Sequence, residues 1–151
     1  MAKMSNKEVR KFLMKGTFTG KLGTIKKDGS TLVVPIWYIL DERNSINEIG
    51  NIYFTTYSGS TKAKNIQRDP RTSICVDDQT PPYTFVSIFG KAVILPYEQD
   101  EILTWATRIA RRYVGKENAK TYGVRNSGKG EVLVQIKPTT IIAEKNIANW
   151  D

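Results

Sequence analysis

Histidine is absent from the 151 residues of the sequence, and cysteine occurs once, as Cys75. The missing histidine excludes Ser–His–Asp and Cys–His nucleophile systems. Together with the single cysteine it also excludes ordinary structural zinc and the HExxH class, so no metal site is expected. Cys75 has no internal disulfide partner and sits in the apolar run "SICV", where it reads as a small buried hydrophobe. No apolar run approaches the roughly 20 residues that a bilayer span needs. The opening stretch, MAKMSNKEVRKF, has no long apolar segment, so no secretory signal and no membrane partner are expected. With this cysteine usage the expected location is cytoplasmic. Repeats and low-complexity segments are also missing. Chemistry in such a chain rests on other residues or on a bound cofactor.

Positive charge is what the sequence has in excess. Lys and Arg number 23 against 15 Asp and Glu, a formal net charge of +8. That balance points to an anionic partner: nucleic acid, a phosphorylated cofactor or an acidic surface. The charge is spread along the chain without a Lys/Arg block, which argues weakly for nucleic acid. A length of 151 residues predicts one domain with a single core over residues 1–151.

Local signals order the chain. Ser5-x-x-Glu8 is a capping box, Val9, Phe12 and Leu13 follow at helical spacing, and Gly16 stops the helix. "TFTGKLGTIKK" and "STLVVPIWYIL" flank Asp28-Gly29, a hairpin signal. "ERNSINEIGN" reads as a loop and Asn51–Tyr57 as a third strand. A short helix over Thr61–Arg68 ends before Asp69-Pro70, because a residue preceding proline disfavours the helical region. "RTSICVDD" is a fourth strand, and "YTFVSIFGKAVIL" is a fifth, with Gly90 marking a bulge or bend. After Pro96 comes a helix, acidic at its start and basic at its end, which suits the helix dipole. Its buried stripe is Ile102, Ala106, Ile109, Ala110 and Tyr113. "GKENAKTYGVRNSGKG" reads as a polar loop, and "EVLVQIKPTTIIAE" is a last strand, bent or edged at Pro138. The sum is mainly β: six antiparallel strands in a barrel with three peripheral helices, without the βαβ rhythm of a parallel sheet.

Four segments raise questions of function. In "FTTYSGSTKAKN", Thr55, Thr56, Ser58, Ser60 and Thr61 precede a helix carrying Lys62 and Lys64. An ordinary N-cap needs one such hydroxyl. Several donors converging on free backbone N–H groups and a positive dipole end would make an anion site. Lys62 in the first turn is the favoured cation; Lys64, two residues on, points elsewhere and reads as solvated or on the rim. In "LVVPIWYI", Pro35 cannot donate to a ladder and so marks an edge or a bulge. A flat ligand could lie there beside Trp37; the alternative is an edge strand with core aromatics. In "PPYTF", Tyr83 and Phe85 face one side, as core packing or as an aromatic wall over a ligand. "GVRNSGKG" matches the spacing of a phosphate-binding loop, but Gly130 replaces the required Ser/Thr and the segment leads into a strand, so it reads as a mobile loop.

Taken together, "GKLGTIKKDGSTLVVPIWYILD", "IYFTTYSGSTKAKNIQRDPRTSICVDD", "YTFVSIFGKAVI" and "EVLVQIKPTTI" resemble the split-barrel flavin and deazaflavin oxidoreductases related to pyridoxamine 5′-phosphate oxidase. The likeness spans Gly20 to Ile141 and is nearest the branch that binds the deazaflavin coenzyme F-420, with FMN-binding relatives a close competitor. It implies an FMN-binding type of split barrel, and a homodimer with the cofactor at the subunit interface. It further implies that Val34, Pro35, Ile36 and Trp37 line the ring system and that Thr55 and Thr56 continue that wall. Lys62 would anchor the phosphate beside Ser60, Thr61 and Lys64, and Tyr83 and Phe85 would come from the other subunit. Many relatives carry a basic residue where Ser60 stands.

The resulting expectation is an oxidoreductase in which bound F-420 or FMN passes a hydride to a small unsaturated organic substrate. No catalytic residue of the chain is assigned; Tyr57 and Ser58 are proton-donor candidates by proximity alone. The deazaflavin's acidic oligoglutamate tail suits a chain of charge +8. A non-catalytic cofactor carrier is the second reading. A nucleic-acid-binding barrel is the third, and it is disfavoured because Trp37, Tyr38, Tyr53, Phe54 and Phe85 sit inside apolar runs.

Overall fold

Two strands adjacent in sequence form the opposite ends of the main sheet, and that fact shapes the molecule. The computed structural model describes residues 2–43 and 48–149. In chain order the elements are β1 (Ala2–Lys3), α1 (Asn6–Leu13), β2 (Gly20–Ile25), β3 (Thr31–Ile36), β4 (Ile39–Asp41) and β5 (Asn51–Tyr57). They continue with α2 (Thr61–Arg68), β6 (Arg71–Asp78), β7 (Thr84–Leu95), α3 (Gln99–Val114), α4 (Lys116–Arg125) and β8 (Glu131–Lys145). The strand order is β3-β2-β6-β7-β8-β5-β4, with β1 added to β8, and every pairing is antiparallel. In a flat sheet β3 and β4 would lie about 29 Å apart at the usual strand spacing of about 4.8 Å. Only Trp37 and Tyr38 separate them in sequence, so Ile36 and Ile39 lie within about 11 Å. The sheet therefore curls until its two ends meet, as a split barrel.

Local chemistry explains the elements that match expectation. The Ser5 hydroxyl accepts the Glu8 N–H at 3.2 Å, and the Glu8 carboxylate accepts the Ser5 N–H at 3.1 Å. Gly29, at φ 88°, turns the β2–β3 hairpin. The register between β7 and β8 shifts between Phe89 and Gly90. A side chain at Gly90 would place its Cβ 2.5 Å from the Lys137 carbonyl, so the bulge requires glycine.

Two expectations are corrected. Among the described residues there are eight strands instead of six: β1 is a two-residue addition, and the run "STLVVPIWYIL" is two strands. Residue alternation marks a strand, but it cannot show that the chain changes sheet partner at Trp37–Tyr38. The described residues form four helices instead of three, because the segment read as a polar and mobile loop is α4 followed by a turn. Its packing runs through small residues, which leave little amphipathic signal. Ala119 is buried, and a Cβ on Gly123 would lie 2.1 Å from the Thr107 hydroxyl of α3. Ser127 in the following turn is buried as well. Of the loop expected after β4, residues 44–47 lie outside the described residues.

The core has two parts. Inside the barrel, Leu22, Phe54, Ile74, Val86, Ile88 and Val134 meet Val9, Phe12 and Leu13 of α1. On the other side of β4, β5 and β8, Ile39, Tyr53 and Leu133 pack against Ile102 and Ile109 of α3. Polar contacts from α3 then fix the crossing. Arg108 donates to the buried Asp41 carboxylate at 2.6 Å. Arg43 and then Arg108 hold that carboxyl far below the usual carboxylate range against the opposing effect of burial. Arg112 donates to the carbonyls of Leu13, Gly16 and Tyr38 at 2.8, 3.0 and 2.8 Å, and lies 4.7 Å over the Tyr38 ring. Among the described residues, no helix is long and apolar enough to cross a membrane.

Arg112→Ala removes three charge-assisted bonds at the crossing and is expected to cost about 2–3 kcal/mol in urea denaturation. The exposed neighbour Arg111→Ala should stay within about 0.5 kcal/mol of the parent. Equal costs for the two would remove the crossing from its structural role.

Candidate functional site

A cleft of about 420 Å³ opens where the barrel is split. One wall is Pro35, Ile36 and Trp37, where the chain leaves β3. Among the described residues β3 pairs only with β2, which leaves its outer side as an edge, and Pro35 there is exposed. The facing wall is Thr55, Thr56 and Tyr57 at the end of β5. Ala106 and Ile109 of α3 line it too, and Ser60, Lys62, Asn126 and Glu131 complete it. The volume falls within the range of small-molecule sites, roughly 300–1,000 Å³.

Trp37 is held from behind. Its ring stacks on Tyr113 at 5.3 Å between centroids with 3° between planes, and Tyr122 tilts against it at 5.9 Å. The Tyr113 hydroxyl donates to the Phe18 carbonyl at 2.8 Å and accepts the Tyr38 N–H at 3.2 Å. Burial pushes the Tyr113 phenol above its ordinary pKa, which keeps the donor proton in place.

At the other end the hydroxyl packet divides its work. Ser60 is the N-cap of α2: its Oγ accepts the Ala63 N–H at 3.2 Å and lies 3.0 Å from the Thr56 hydroxyl. Thr61 is exposed and does not line the cleft, and neither does the exposed Lys64. Lys62 does line it and is half-buried. Burial pulls its ammonium below the ordinary lysine pKa, and the charge of Glu131 pulls the other way. Burial likewise raises the Glu131 carboxyl, partly offset by Lys62. The Tyr57 ring is wedged between two glycines: a Cβ on Gly59 would come within 2.5 Å of it and one on Gly130 within 2.7 Å.

The structure thus gathers Pro35, Ile36, Trp37, Thr55, Thr56, Ser60 and Lys62 into one cleft. Val34 is half-buried in β3 outside that lining. Tyr83 and Phe85 line a separate depression with Lys21, Cys75 and Asp77. Tyr83 lies just before β7 with φ 65°, so strand alternation does not reach it. Ala106, Ile109, Asn126 and Glu131 were not read as site residues. The stripe of α3 carried the first two only as core. Glu131 faces the cleft because it pairs with Tyr57 across β5 and β8, a register that no local pattern reveals.

A family model described as Pyridoxamine 5′-phosphate oxidase matches residues 5–144. No curated protein matches the chain. Among solved structures, a conserved hypothetical protein from Mycobacterium tuberculosis is 27% identical with a TM-score of 0.75, over 95% of this chain and 86% of that one. An F420 reductase is 22% identical with a TM-score of 0.69, over 87% of this chain and 94% of that one. A FAD-binding protein from Mesorhizobium loti is 21% identical with a TM-score of 0.64, over 94% and 93% of the two chains. At their identities the last two share the fold.

Because Ser60 spends its acceptor on the helix cap, Ser60→Ala is expected to lower stability by about 1 kcal/mol. Thermal or urea unfolding of the ligand-free protein measures this. A mutant as stable as the parent would mean the cap bond contributes nothing.

Proposed function

The chain belongs to the pyridoxamine 5′-phosphate oxidase family of split barrels, and we propose that it binds a phosphorylated flavin or deazaflavin in this cleft and acts as an oxidoreductase. The observation that carries the reading is Lys62. It is a half-buried cation in the first turn of a capped helix, at the end of a cleft whose far wall is an exposed strand edge. The donor set fits a phosphate: an ammonium, the free N–H groups that open α2, and the hydroxyls of Thr55 and Thr56. The wall fits a flat ring system, since Pro35, Ile36 and the stacked Trp37 present an apolar surface fixed by Tyr113. When bound, the cofactor, F-420 or FMN, supplies the hydride exchanged with a small unsaturated organic substrate. The chain's own part is to hold and orient. Lys62, with Thr55 and Thr56, fixes the phosphate, and the apolar wall keeps water from the ring. A chain without histidine suits this division, because orienting a reactant demands no protein nucleophile.

A homodimer completes the site in this reading. On the outer face of the sheet, Val33, Gly23, Ser73, Phe89 and Thr140 form one cross-strand row, and Pro35, Lys21, Cys75, Ser87 and Ile142 form the next. Val33, Phe89 and Ile142 are 62%, 41% and 47% exposed. Small residues between them leave a shallow depression of about 560 Å³ that a second copy would fill. Pro35 belongs both to this face and to the cleft. A partner seated there would bring its Tyr83 and Phe85 to the cofactor.

Lys62→Ala should weaken FMN or F-420 binding ten- to hundredfold in calorimetry, the equivalent of about 1.5–3 kcal/mol for a charge-assisted contact. Lys64→Ala should lose far less, and riboflavin, lacking the phosphate, should bind the parent weakly. Unchanged affinity in Lys62→Ala would take the phosphate out of this cleft.

In light scattering at micromolar concentration the parent is expected to be a dimer, with an interface of more than about 1,000 Å². Phe89→Asp places a charge in the centre of the proposed interface and should shift the mass to a monomer. A monomeric parent would end the shared-site arrangement.

A further inference from the structure

We propose that Glu131 sets which phosphate the cleft accepts, favouring a singly charged phosphodiester over a doubly charged phosphomonoester. The inference rests on the reading of the cleft as a phosphate site. Glu131 opens β8 and pairs with Tyr57, the last residue of β5, so its backbone is fixed in the ladder. The turn before it is equally constrained. The Glu131 N–H donates to the Gly128 carbonyl at 3.0 Å, the Ser58 N–H donates to the Gly130 carbonyl at 2.8 Å, and Gly130 has φ 90°. The carboxylate is therefore held in the wall that also carries Lys62. The two charges attract one another within that lining, and no salt bridge among the described residues joins them. Tyr57 of β5 and Lys62 of α2 are the other titratable groups of this lining, and the turn after α4 adds the neutral Asn126.

The charge balance follows directly. With both side chains ionised, Lys62 and Glu131 sum to zero. Each negative charge of a ligand is attracted by the ammonium and the opening of α2 and repelled by the carboxylate. A second charge adds to the desolvation cost and to the repulsion from Glu131, with no further cation to offset them. A phosphomonoester carries about −1.5 to −2 at neutral pH, because its second pKa is near 6; a diester carries a single charge at any pH above the acid range. Partial burial of both side chains makes the difference larger than it would be in open solvent. The ligand class favoured is a flavin or deazaflavin whose phosphate is esterified on both sides.

FMN and its monomethyl phosphate ester have the same ring and ribityl chain and differ by one ionisable oxygen. Both are titrated at pH 8 into the parent, Glu131→Gln, Glu131→Asp and Lys62→Ala, with affinity read from quenching of ring fluorescence. The parent should prefer the ester by about tenfold, the size expected of one charge contact at a partly buried site. Glu131→Gln should gain about tenfold for FMN and about threefold for the ester, because the repulsion scales with ligand charge, which narrows the preference to about threefold. Glu131→Asp keeps the charge and should keep the preference. Lowering the pH to 5.5 should tighten FMN binding to the parent and change the ester much less. FMN binding as tightly as the ester to the parent, or Glu131→Gln shifting both ligands equally, overturns the assignment. If both ligands bind and both weaken in Lys62→Ala without discriminating by charge, the phosphate cleft stands and the selector falls. If neither ligand binds, or Lys62→Ala weakens neither, the phosphate reading itself fails and takes this inference with it.

Discussion

Everything in this molecule depends on a short tether. Ile36 ends one edge of the sheet and Ile39 begins the other, with two residues between them. A chain that short cannot cross a flat sheet, so the sheet must curl. The curl creates the barrel interior and leaves a seam where the ends approach without pairing. The seam is also where backbone and side chains are free to meet something other than protein. Pro35 lies on the open side of β3, where its missing N–H costs no ladder bond. The cleft is therefore a consequence of topology before it is a consequence of any particular lining residue.

The tether needs support, and α3 supplies it. Trp37 and Tyr38 have no strand partners, so their backbone groups must find others. The Tyr38 N–H reaches the Tyr113 hydroxyl, and the Tyr38 carbonyl accepts from Arg112. The Tyr38 hydroxyl in turn donates to the Leu13 carbonyl at 2.5 Å, at the end of α1. Arg108 adds an ion pair to Asp41 in β4. One helix thus anchors the tether and β4, and it also contributes Ala106 and Ile109 to the cleft. Rigidity of the wall and stability of the fold come from the same contacts.

Features fixed by neighbours in sequence were legible; features fixed by distant pairing were not. The capping box, the Asp28-Gly29 hairpin, the bounds of β5, α2 and β6, and the bulge at Gly90 each follow from a few adjacent residues. Of the residues expected at an anion site, the placement around the cleft was only partly legible. Lys62 lines the cleft and Lys64 does not, as their spacing required, but Ser60 turned out to be occupied as a cap. Helix α4 was missed because Gly123 serves a close approach to Thr107, whereas in sequence a glycine among polar residues looks like a turn. β4 was missed because the change of partner at Trp37–Tyr38 leaves no mark in the alternation. Glu131 was missed because only the β5–β8 register carries it to the cleft.

The position of Pro35 has a thermodynamic consequence for the proposed assembly. It belongs to the cleft and, through its pairing with Lys21, to the outer rows of the sheet. If a second copy covers those rows, a ligand in the cleft and a partner on the face share contacts at one edge strand. A ligand that binds the dimer more tightly than the monomer must stabilise the dimer by the same free energy, because linkage is reciprocal. The charge pair of Lys62 and Glu131 belongs to the same lining as Pro35. In the proposed assembly the partner's contribution rests on apolar burial and the ligand's on a pair of charges, and Pro35 is the residue through which the two would be coupled.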